Sequence, residues 1–185
     1  MQPNDLIHSH YIHRLETATD TQVQALARLL IDCVEGGASV SFMHPLPASR
    51  ALAFWRFVLD GVAHGERALL VAEDATGIVG TVQLVLSQPE NQAHCAGLSK
   101  MLVHRRARRR GLGAALVKAA EHLACECGKS LLVLDTASGE AERLYVRLGW
   151  QRCGVIPGYA LLPQGGLCDT TFFYRTLRAP EPPTR

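Results

Sequence analysis

The spacing of apolar and polar residues divides the chain into helical and strand-like segments. Apolar residues recur every three or four positions over residues 19–34 and again over residues 47–64, and this spacing predicts two amphipathic helices. Thr19 or Asp20 can cap the first helix, and Gly36-Gly37 ends it. The pattern therefore predicts a helical pair before any strand.

Strand-like segments follow these helices. Residues 67–73 form a short apolar run and residues 78–86 are rich in β-branched side chains, and Asp74-Ala75-Thr76-Gly77 between them is typical of a tight hairpin. Residues 95–103 form a third strand after a polar loop. These three segments are expected to share one sheet.

Later in the chain the apolar period alternates between helical and strand-like. The pattern predicts a long helix over residues 112–127 that ends at Gly128, and then a strand buried on both faces over residues 130–134. A short helix over residues 139–148 follows and ends at Gly149. Closing strands are predicted over residues 150–177, with interruptions at Pro157-Gly158 and Gly165-Gly166. The order α-α-β-β-β-α-β-α-β-β predicts a mixed α/β domain built on one sheet.

The composition is that of an ordinary globular domain. Of the 185 residues, 48% are hydrophobic and 19% are charged, which supplies a core and excludes a disordered or fibrous chain. We expect a single domain over residues 1–179, with a mobile N-terminus over residues 1–13 and a frayed, proline-rich tail over residues 180–185.

Charge, hydropathy and cysteine content indicate the location and the partners. No apolar run approaches the roughly 20 residues of a membrane span, and the polar N-terminus lacks the apolar core of a secretory signal. The six cysteines are too dilute for a disulfide scaffold and are expected to be reduced, and His8, His10 and His13 are interpreted as part of a tail rather than a metal site. We expect a cytoplasmic protein without metal, membrane or nucleic-acid partner. The sequence is compatible with a homodimer but does not determine the oligomeric state.

The most informative segment joins the third strand to the long helix. A strand ends at Val103, five arginines follow within one turn, and Gly111 and Gly113 open the helix. The first turn of a helix has unpaired N–H groups and the positive end of the helix dipole, and glycines let an anion approach that backbone. Arginines raise the local potential further. The segment therefore predicts a binding site for a phosphate or pyrophosphate.

At these residues the sequence resembles the GNAT superfamily of acetyltransferases. Arg108-x-x-Gly111-x-Gly113 matches the Gln/Arg-x-x-Gly-x-Gly/Ala motif of that family, and Leu144-Tyr145-x-x-x-Gly149-Trp150 matches its Leu-Tyr-x-x-x-Gly-Phe signature. The resemblance implies a mostly antiparallel twisted sheet with flanking helices, acetyl-CoA as acetyl donor and CoA as product. It also implies a cofactor site made of Met101, Leu102, Val103, Arg108, Arg109, Arg110, Gly111, Leu112, Gly113 and Ala114.

A likeness over nearly the whole chain is to the tabtoxin-resistance acetyltransferases. It is carried by residues 36–43 (GGASVSFM), by Leu134-Asp135-Thr136, by Pro157-Gly158-Tyr159 and by residues 170–177 (TTFFYRTL). This resemblance implies transfer to the amine of a small molecule, such as a toxin, an antibiotic or an amino-acid-like compound. Ser39, Phe42, Asp135 and Tyr159 are the expected acceptor-binding residues.

Asp135 is the best candidate for the general base. An amine titrates near ~10.4, so a base must remove its proton at neutral pH. Asp135 follows an apolar strand at the edge of the sheet where ligands of α/β proteins bind. It could instead bind the ammonium group of the substrate or cap the helix that follows. In the tabtoxin-resistance pattern a glutamate stands at the position of Gly97, so an ordered water or Glu73 could also serve as base.

Tyr145 is the candidate general acid for the departing thiolate, with a packing role as its alternative. A phenol of pKa ~10 is close enough to a thiol of pKa ~8.5 to share a proton with it. Two functions compete with acetyl transfer: a CoA-binding regulatory module that has lost catalysis, indicated by Gly97 alone, and a nucleic-acid-associated protein that uses the arginine turn.

Overall fold

The computed structural model describes residues 10–177 and contains seven strands and four helices. In chain order these are β1 (Tyr11–Arg14), α1 (Asp20–Glu35), α2 (Ala48–Ala63), β2 (Arg67–Asp74), β3 (Gly77–Val85), β4 (Cys95–Val103), α3 (Leu112–Glu126), β5 (Leu131–Thr136), α4 (Gly139–Arg147), β6 (Gln151–Leu161) and β7 (Leu167–Thr176). Short 3-10 turns at Glu90–Gln92 and Arg105–Ala107 flank β4. The mixed α/β fold and its mostly antiparallel sheet are thereby confirmed.

All seven strands form one sheet in the order β1-β2-β3-β4-β5-β7-β6. Every neighbouring pair is antiparallel except β4 and β5, which run parallel. Parallel neighbours need a crossover connection, and α3 supplies it. The parallel pair lies in the middle of the sheet, and this position determines where a cleft opens.

The two faces of the sheet carry separate apolar cores. Helices α1 and α2 pack on one face, where Leu26, Leu30 and Trp55 are fully buried against side chains of β2 and β3. Helix α3 packs on the opposite face, where Leu116 and Phe173 are equally buried. We refer to these as the α1–α2 face and the α3 face. In the described part of the chain no helix is long and apolar enough to cross a membrane.

Local sequence signals account for the helix ends. Thr19 caps α1 through a capping box, in which its side chain accepts a hydrogen bond from the backbone N–H of Gln22 and the Gln22 side chain accepts one in return. Ser138 caps α4, since its Oγ accepts a hydrogen bond from the Ala141 N–H at 3.3 Å. Because Ser138 is the cap, the alternative in which Asp135 caps this helix is wrong.

Three expectations about strands are wrong. The mobile N-terminus does not extend to His13, because Tyr11–Arg14 pairs with β2; residues 1–9 and the tail at residues 180–185 lie outside the described residues. Strand β5 is buried on one face only, since Val133 is 38% exposed. Pro157-Gly158 does not interrupt β6, because this edge strand has a register shift there that accommodates both residues.

Candidate active site

A cleft of about 600 Å³ opens where β4 and β5 separate. The two strands are paired only from Cys95 to Gly97 and from Leu131 to Val133, although both continue beyond these positions. The cleft between their free ends reaches from the N-terminus of α3 to the loop between α1 and α2. Each strand therefore presents unpaired backbone to the same space.

The N-terminus of α3 forms one end of this cleft. Gly111 is the N-cap residue with φ of +80°, and no side chain caps the helix within the described residues. Leu112, Gly113 and Ala114 contribute first-turn N–H groups and line the cleft together with Gly111. A β-carbon at Gly113 would lie 3.3 Å from Leu144 and 3.9 Å from Met101, which both line the cleft. The first turn of α3 therefore borders the cleft and has no side-chain cap.

The five arginines of the turn have different surroundings. Arg105 donates hydrogen bonds to the buried Asp32 of α1, from its backbone N–H at 3.0 Å and from Nε at 2.6 Å. Arg106 forms an ion pair with Asp74 at the β2–β3 hairpin. Arg108 donates from Nε to the Val103 carbonyl at 3.0 Å. Two of the five guanidinium groups are thus neutralised by carboxylates, which weakens the nucleic-acid interpretation.

Of the remaining cationic side chains of the turn, Arg109 faces the predicted cofactor site. It lines the cleft together with Arg108, whereas Arg110 is exposed and does not line it. Arg109 has a left-handed φ of +63°, an uncommon conformation for a residue with a β-carbon. Within the described residues, the non-glycine residues with positive φ are Ser41, Lys100 and Arg109, and all three line the cleft.

Asp135 and Tyr145 approach the cleft from opposite faces of the sheet. Asp135 is exposed at the end of β5 and lies on the α1–α2 face, because Leu132 and Leu134 occupy the α3 face. Tyr145 of α4 is 4% exposed and packs against Trp150 and Phe173. Burial, and to a smaller extent the charge of Asp135, raise the pKa of Tyr145. The phenol thus keeps its proton at every physiological pH.

The sequence interpretation missed one residue of the cleft lining. Lys100 lines the cleft, and its ammonium donates a hydrogen bond to Ser41 Oγ at 3.1 Å and lies 5.7 Å from the centre of the Phe54 ring. Burial lowers the pKa of Lys100, while the charge of Asp135 raises it and that of Arg67 lowers it further. No motif singles out this lysine, since a β-bulge determines its direction.

The segment between α1 and α2, which carries Ser39 and Phe42, contacts the end of β6 and the β6–β7 loop. Ser39 Oγ donates to the Leu161 carbonyl at 3.3 Å, and the His44 N–H donates to the Pro163 carbonyl at 2.9 Å. Ser39 lines the cleft. Phe42 and Tyr159 are not among the residues that line it: Phe42 packs edge-on against Phe54, and Tyr159 is 56% exposed and packs against Phe172.

The alternatives for the base also differ in position. Glu73 lies on β2 opposite Tyr11 and accepts a hydrogen bond from Gln22 at 3.5 Å, away from the cleft lining, so it is not a substitute base. Gly97 pairs with Val133 on β5, and a β-carbon there would meet only Val85 at 3.7 Å. Within residues 10–177, no group of three metal-ligating side chains comes together.

The comparisons with known proteins agree with this geometry. Residues 65–152 match the sequence model of the acetyltransferase (GNAT) domain. This segment includes β2 to β5, α3, α4 and the turn before α3. The match supports the GNAT acetyltransferase family.

Solved structures with the same fold include several acetyltransferases. The yncA protein of Salmonella typhimurium, solved with its cofactor acetyl-CoA, superposes with a TM-score of 0.76 at 19% identity, over 95% of this chain and 98% of the other. A phosphinothricin acetyltransferase from Sinorhizobium meliloti in complex with acetyl-CoA gives 0.74 at 17% identity, over 93% and 94%. The ribosomal-protein-alanine N-acetyltransferase of Brucella melitensis gives 0.75 at 23% identity, over 90% and 99%. At these identities the likeness shows the fold.

Proposed function

We propose that this chain is a GNAT N-acetyltransferase that moves an acetyl group from acetyl-CoA to the amine of a small molecule. The observation that carries the proposal is the uncapped N-terminus of α3, which opens into a cleft that also contains Asp135 and Tyr145. The match of residues 65–152 to the acetyltransferase domain supports it independently.

The residues around the turn fit the pyrophosphate of the cofactor. The first-turn N–H groups of Leu112, Gly113 and Ala114 would bind its oxygens, since an uncapped helix N-terminus combines free donors with the positive end of a dipole. Arg109 would add a positive charge at the rim of the same site. The absence of a β-carbon at Gly113 lets the first turn of α3 lie close to Leu144 and Met101, since a β-carbon there would be only 3.3 Å from Leu144. The end of β4 that is not paired with β5, from Met101 to Val103, would bind the pantetheine arm.

When bound, acetyl-CoA supplies an acetyl group activated as a thioester. Asp135 is exposed at the mouth of the cleft on the acceptor side, where its carboxylate would take a proton from the acceptor ammonium. Tyr145 stands on the other side of the sheet and holds its proton firmly, because burial raises its pKa. We therefore propose that the Tyr145 hydroxyl donates a hydrogen bond to the departing sulfur and keeps its own proton.

The clustering of unusual backbone at this cleft also favours a functional site. Ser41, Lys100 and Arg109 all have side chains and left-handed φ values of +73°, +50° and +63°. Such conformations cost free energy and concentrate where a site requires them. This observation argues against a purely structural cleft.

We extend the proposal to the class of acceptor, the cellular location of the protein and its oligomeric state. The likeness to tabtoxin-resistance acetyltransferases and the phosphinothricin acetyltransferase among the structural neighbours support a small amine as acceptor. The name of the Brucella melitensis neighbour makes an alanine of a protein the alternative acceptor class. We further propose a cytoplasmic protein, and the apolar side chains exposed on the edge strand β6 support a homodimer.

The proposal is tested by release of CoA thiol from acetyl-CoA in the presence of an amine panel. The panel contains amino acids, their amides, aminoglycosides, polyamines and an alanine-terminated peptide. We expect thiol release with at least one small amine and a product heavier by one acetyl group in the mass spectrum. If acetyl-CoA binds but no amine stimulates thiol release, the regulatory module is the better description.

A further inference from the structure

The side chain of Lys100 has hydrogen-bonding capacity that the protein does not use. An ammonium group has three N–H donors, and the structure assigns one of them, to Ser41 Oγ at 3.1 Å. Within the described residues Lys100 forms no ion pair with a carboxylate, and it is partly buried inside the cleft. A partly buried cation with free donors is costly unless something else binds it.

A β-bulge directs this side chain to the acceptor side of the cleft. Leu102 pairs with Thr81 and Ser99 pairs with Gln83, so Lys100 and Met101 lie opposite a single residue of β3. Leu98 accordingly packs in the core of the α3 face, and Leu102 packs in the core of the α1–α2 face. In a regular strand, two residues four positions apart would lie on the same face.

Without this bulge, Lys100 would point into the core beneath α3. The bulge instead holds Lys100 at φ of +50°, next to Ser41 at φ of +73°. Both partners of the hydrogen bond thus have the uncommon left-handed backbone, which indicates that the position of this ammonium is fixed by its surroundings.

The ammonium and the Asp135 carboxylate share the α1–α2 face of the sheet at the mouth of the cleft. The charge of Asp135 attracts the Lys100 ammonium, whereas the positive charge of Arg67 repels it. The Phe54 ring covers another side of the ammonium at 5.7 Å. The acceptor side of the cleft therefore carries a negative group for an amine and, beside it, a positive group.

We propose that Lys100 binds an anionic group of the acceptor, a carboxylate or a similar oxyanion close to the amine, so that the preferred acceptors are zwitterionic. The inference rests on the proposed function and narrows its substrate class. Polycations such as polyamines and aminoglycosides would place a positive charge against the ammonium, and they are expected to be poor acceptors. Lys100 is thus a specificity-determining residue.

The experiment compares amino acids with their own carboxamides, which keep the amine and remove the negative charge. Thiol release is measured with full-length wild type, Lys100→Met, Lys100→Arg and the control Lys118→Met, which removes an exposed lysine from the outer surface of α3. We expect wild type to prefer the carboxylate, and Lys100→Met to lose roughly 10–100-fold in kcat/KM for it, mainly through KM, with the carboxamide unaffected. Lys100→Arg should keep the preference, and Lys118→Met should behave as wild type.

A second measurement does not depend on turnover. In the presence of saturating CoA, the amino acid should raise the Tm of wild type more than its carboxamide does, and Lys100→Met should abolish the difference. The proposal is overturned if Lys100→Met lowers activity equally for both members of each pair, since Lys100 would then only position Asp135. It is also overturned if no carboxylate raises the wild-type Tm more than its amide. Loss of the acetyl-CoA effect itself would instead contradict the proposed function.

Discussion

Replacement of Asp135 by asparagine separates the roles that this carboxylate could have. The side chain is exposed, and Ser138 rather than Asp135 caps α4, so the nearly isosteric change should alter the free energy of unfolding by less than about 0.5 kcal/mol. The variant removes the negative charge that acts on Lys100 and Tyr145 and leaves the cleft in place. Any large effect on the rate therefore reports on chemistry rather than on folding.

The size of the effect follows from the proton that must leave. An acceptor amine with a pKa of ~10.4 is neutral in about 0.04% of molecules at pH 7, and this fraction rises tenfold per pH unit. Loss of a general base costs roughly 10²–10⁴-fold in rate, or about 2.7–5.5 kcal/mol of barrier. We expect a loss in this range at pH 7 for Asp135→Asn, and a rate that rises nearly tenfold per pH unit as solvent supplies the neutral amine.

The assay is the initial rate of thiol release between pH 6 and 9 at saturating acetyl-CoA, with Tm as the folding control. Glu140→Gln is the matched control, because Glu140 is another exposed carboxylate that lines the same cleft. A rise in KM for the amine without rescue at high pH would show that Asp135 orients the ammonium group. Full activity of Asp135→Asn at every pH would refute its participation.

Three further predictions concern the surroundings of this site. Tyr145→Phe keeps the packing against Trp150 and should lower kcat with acetyl-CoA affinity unchanged; an equal kcat, with chemistry rate-limiting, would make Tyr145 a packing residue. Gly97→Glu should partly restore the rate of Asp135→Asn at pH 7. Gly97 pairs with Val133 on the strand that carries Asp135, and a β-carbon at Gly97 would have open space around it. No gain in rate would mean that the added carboxylate does not reach the amine. Burial raises the pKa of Asp32, but the hydrogen bonds and charge of Arg105 outweigh burial and bring the folded-state pKa below 3.8. The Asp32 carboxylate therefore stabilises the fold above pH 3.8, and this stabilisation is lost as the pH falls through the lower folded-state pKa. Asp32→Asn should lower Tm at pH 7 and flatten the fall of Tm at acidic pH, and an unchanged fall of Tm would contradict this.

The sequence predicts most of the fold because its periodic segments are long and its helix ends are marked. The bounds of β4 were predicted to the residue, and α1, α2 and α3 to within about two residues. Tyr11–Arg14 was missed because four residues at a sheet edge give too little alternation to detect. Residues 130–134 were assigned two buried faces because an apolar run does not reveal that β4 and β5 separate beside Val133.

The candidate site was predicted in part, and the difference lies in side-chain direction. Asp135, Tyr145 and the turn before α3 are recognisable because their residue types occur in motifs. In the structure Asp135, Tyr145 and the residues of this turn from Arg108 to Gly113 other than Arg110 line one cleft. Lys100 was not recognised, because the bulge that reverses its direction leaves no signal in composition or spacing. Phe42 and Tyr159 were expected at the acceptor from the resemblance to tabtoxin-resistance acetyltransferases; their rings pack against Phe54 and Phe172 and are not among the residues that line the cleft.

Binding of acetyl-CoA to wild type and to Gly113→Val tests the central claim most directly. A β-carbon at Gly113 would lie 3.3 Å from Leu144 and 3.9 Å from Met101, so the branched side chain of valine would crowd these two residues of the cleft lining. Ala115→Val is the control, since it adds the same branched side chain to an exposed position of the same helical turn. Titration calorimetry should give one acetyl-CoA per chain for wild type and Ala115→Val, and no measurable binding for a folded Gly113→Val. Equal affinity in all three proteins would contradict the claim that this cleft holds the acetyl donor.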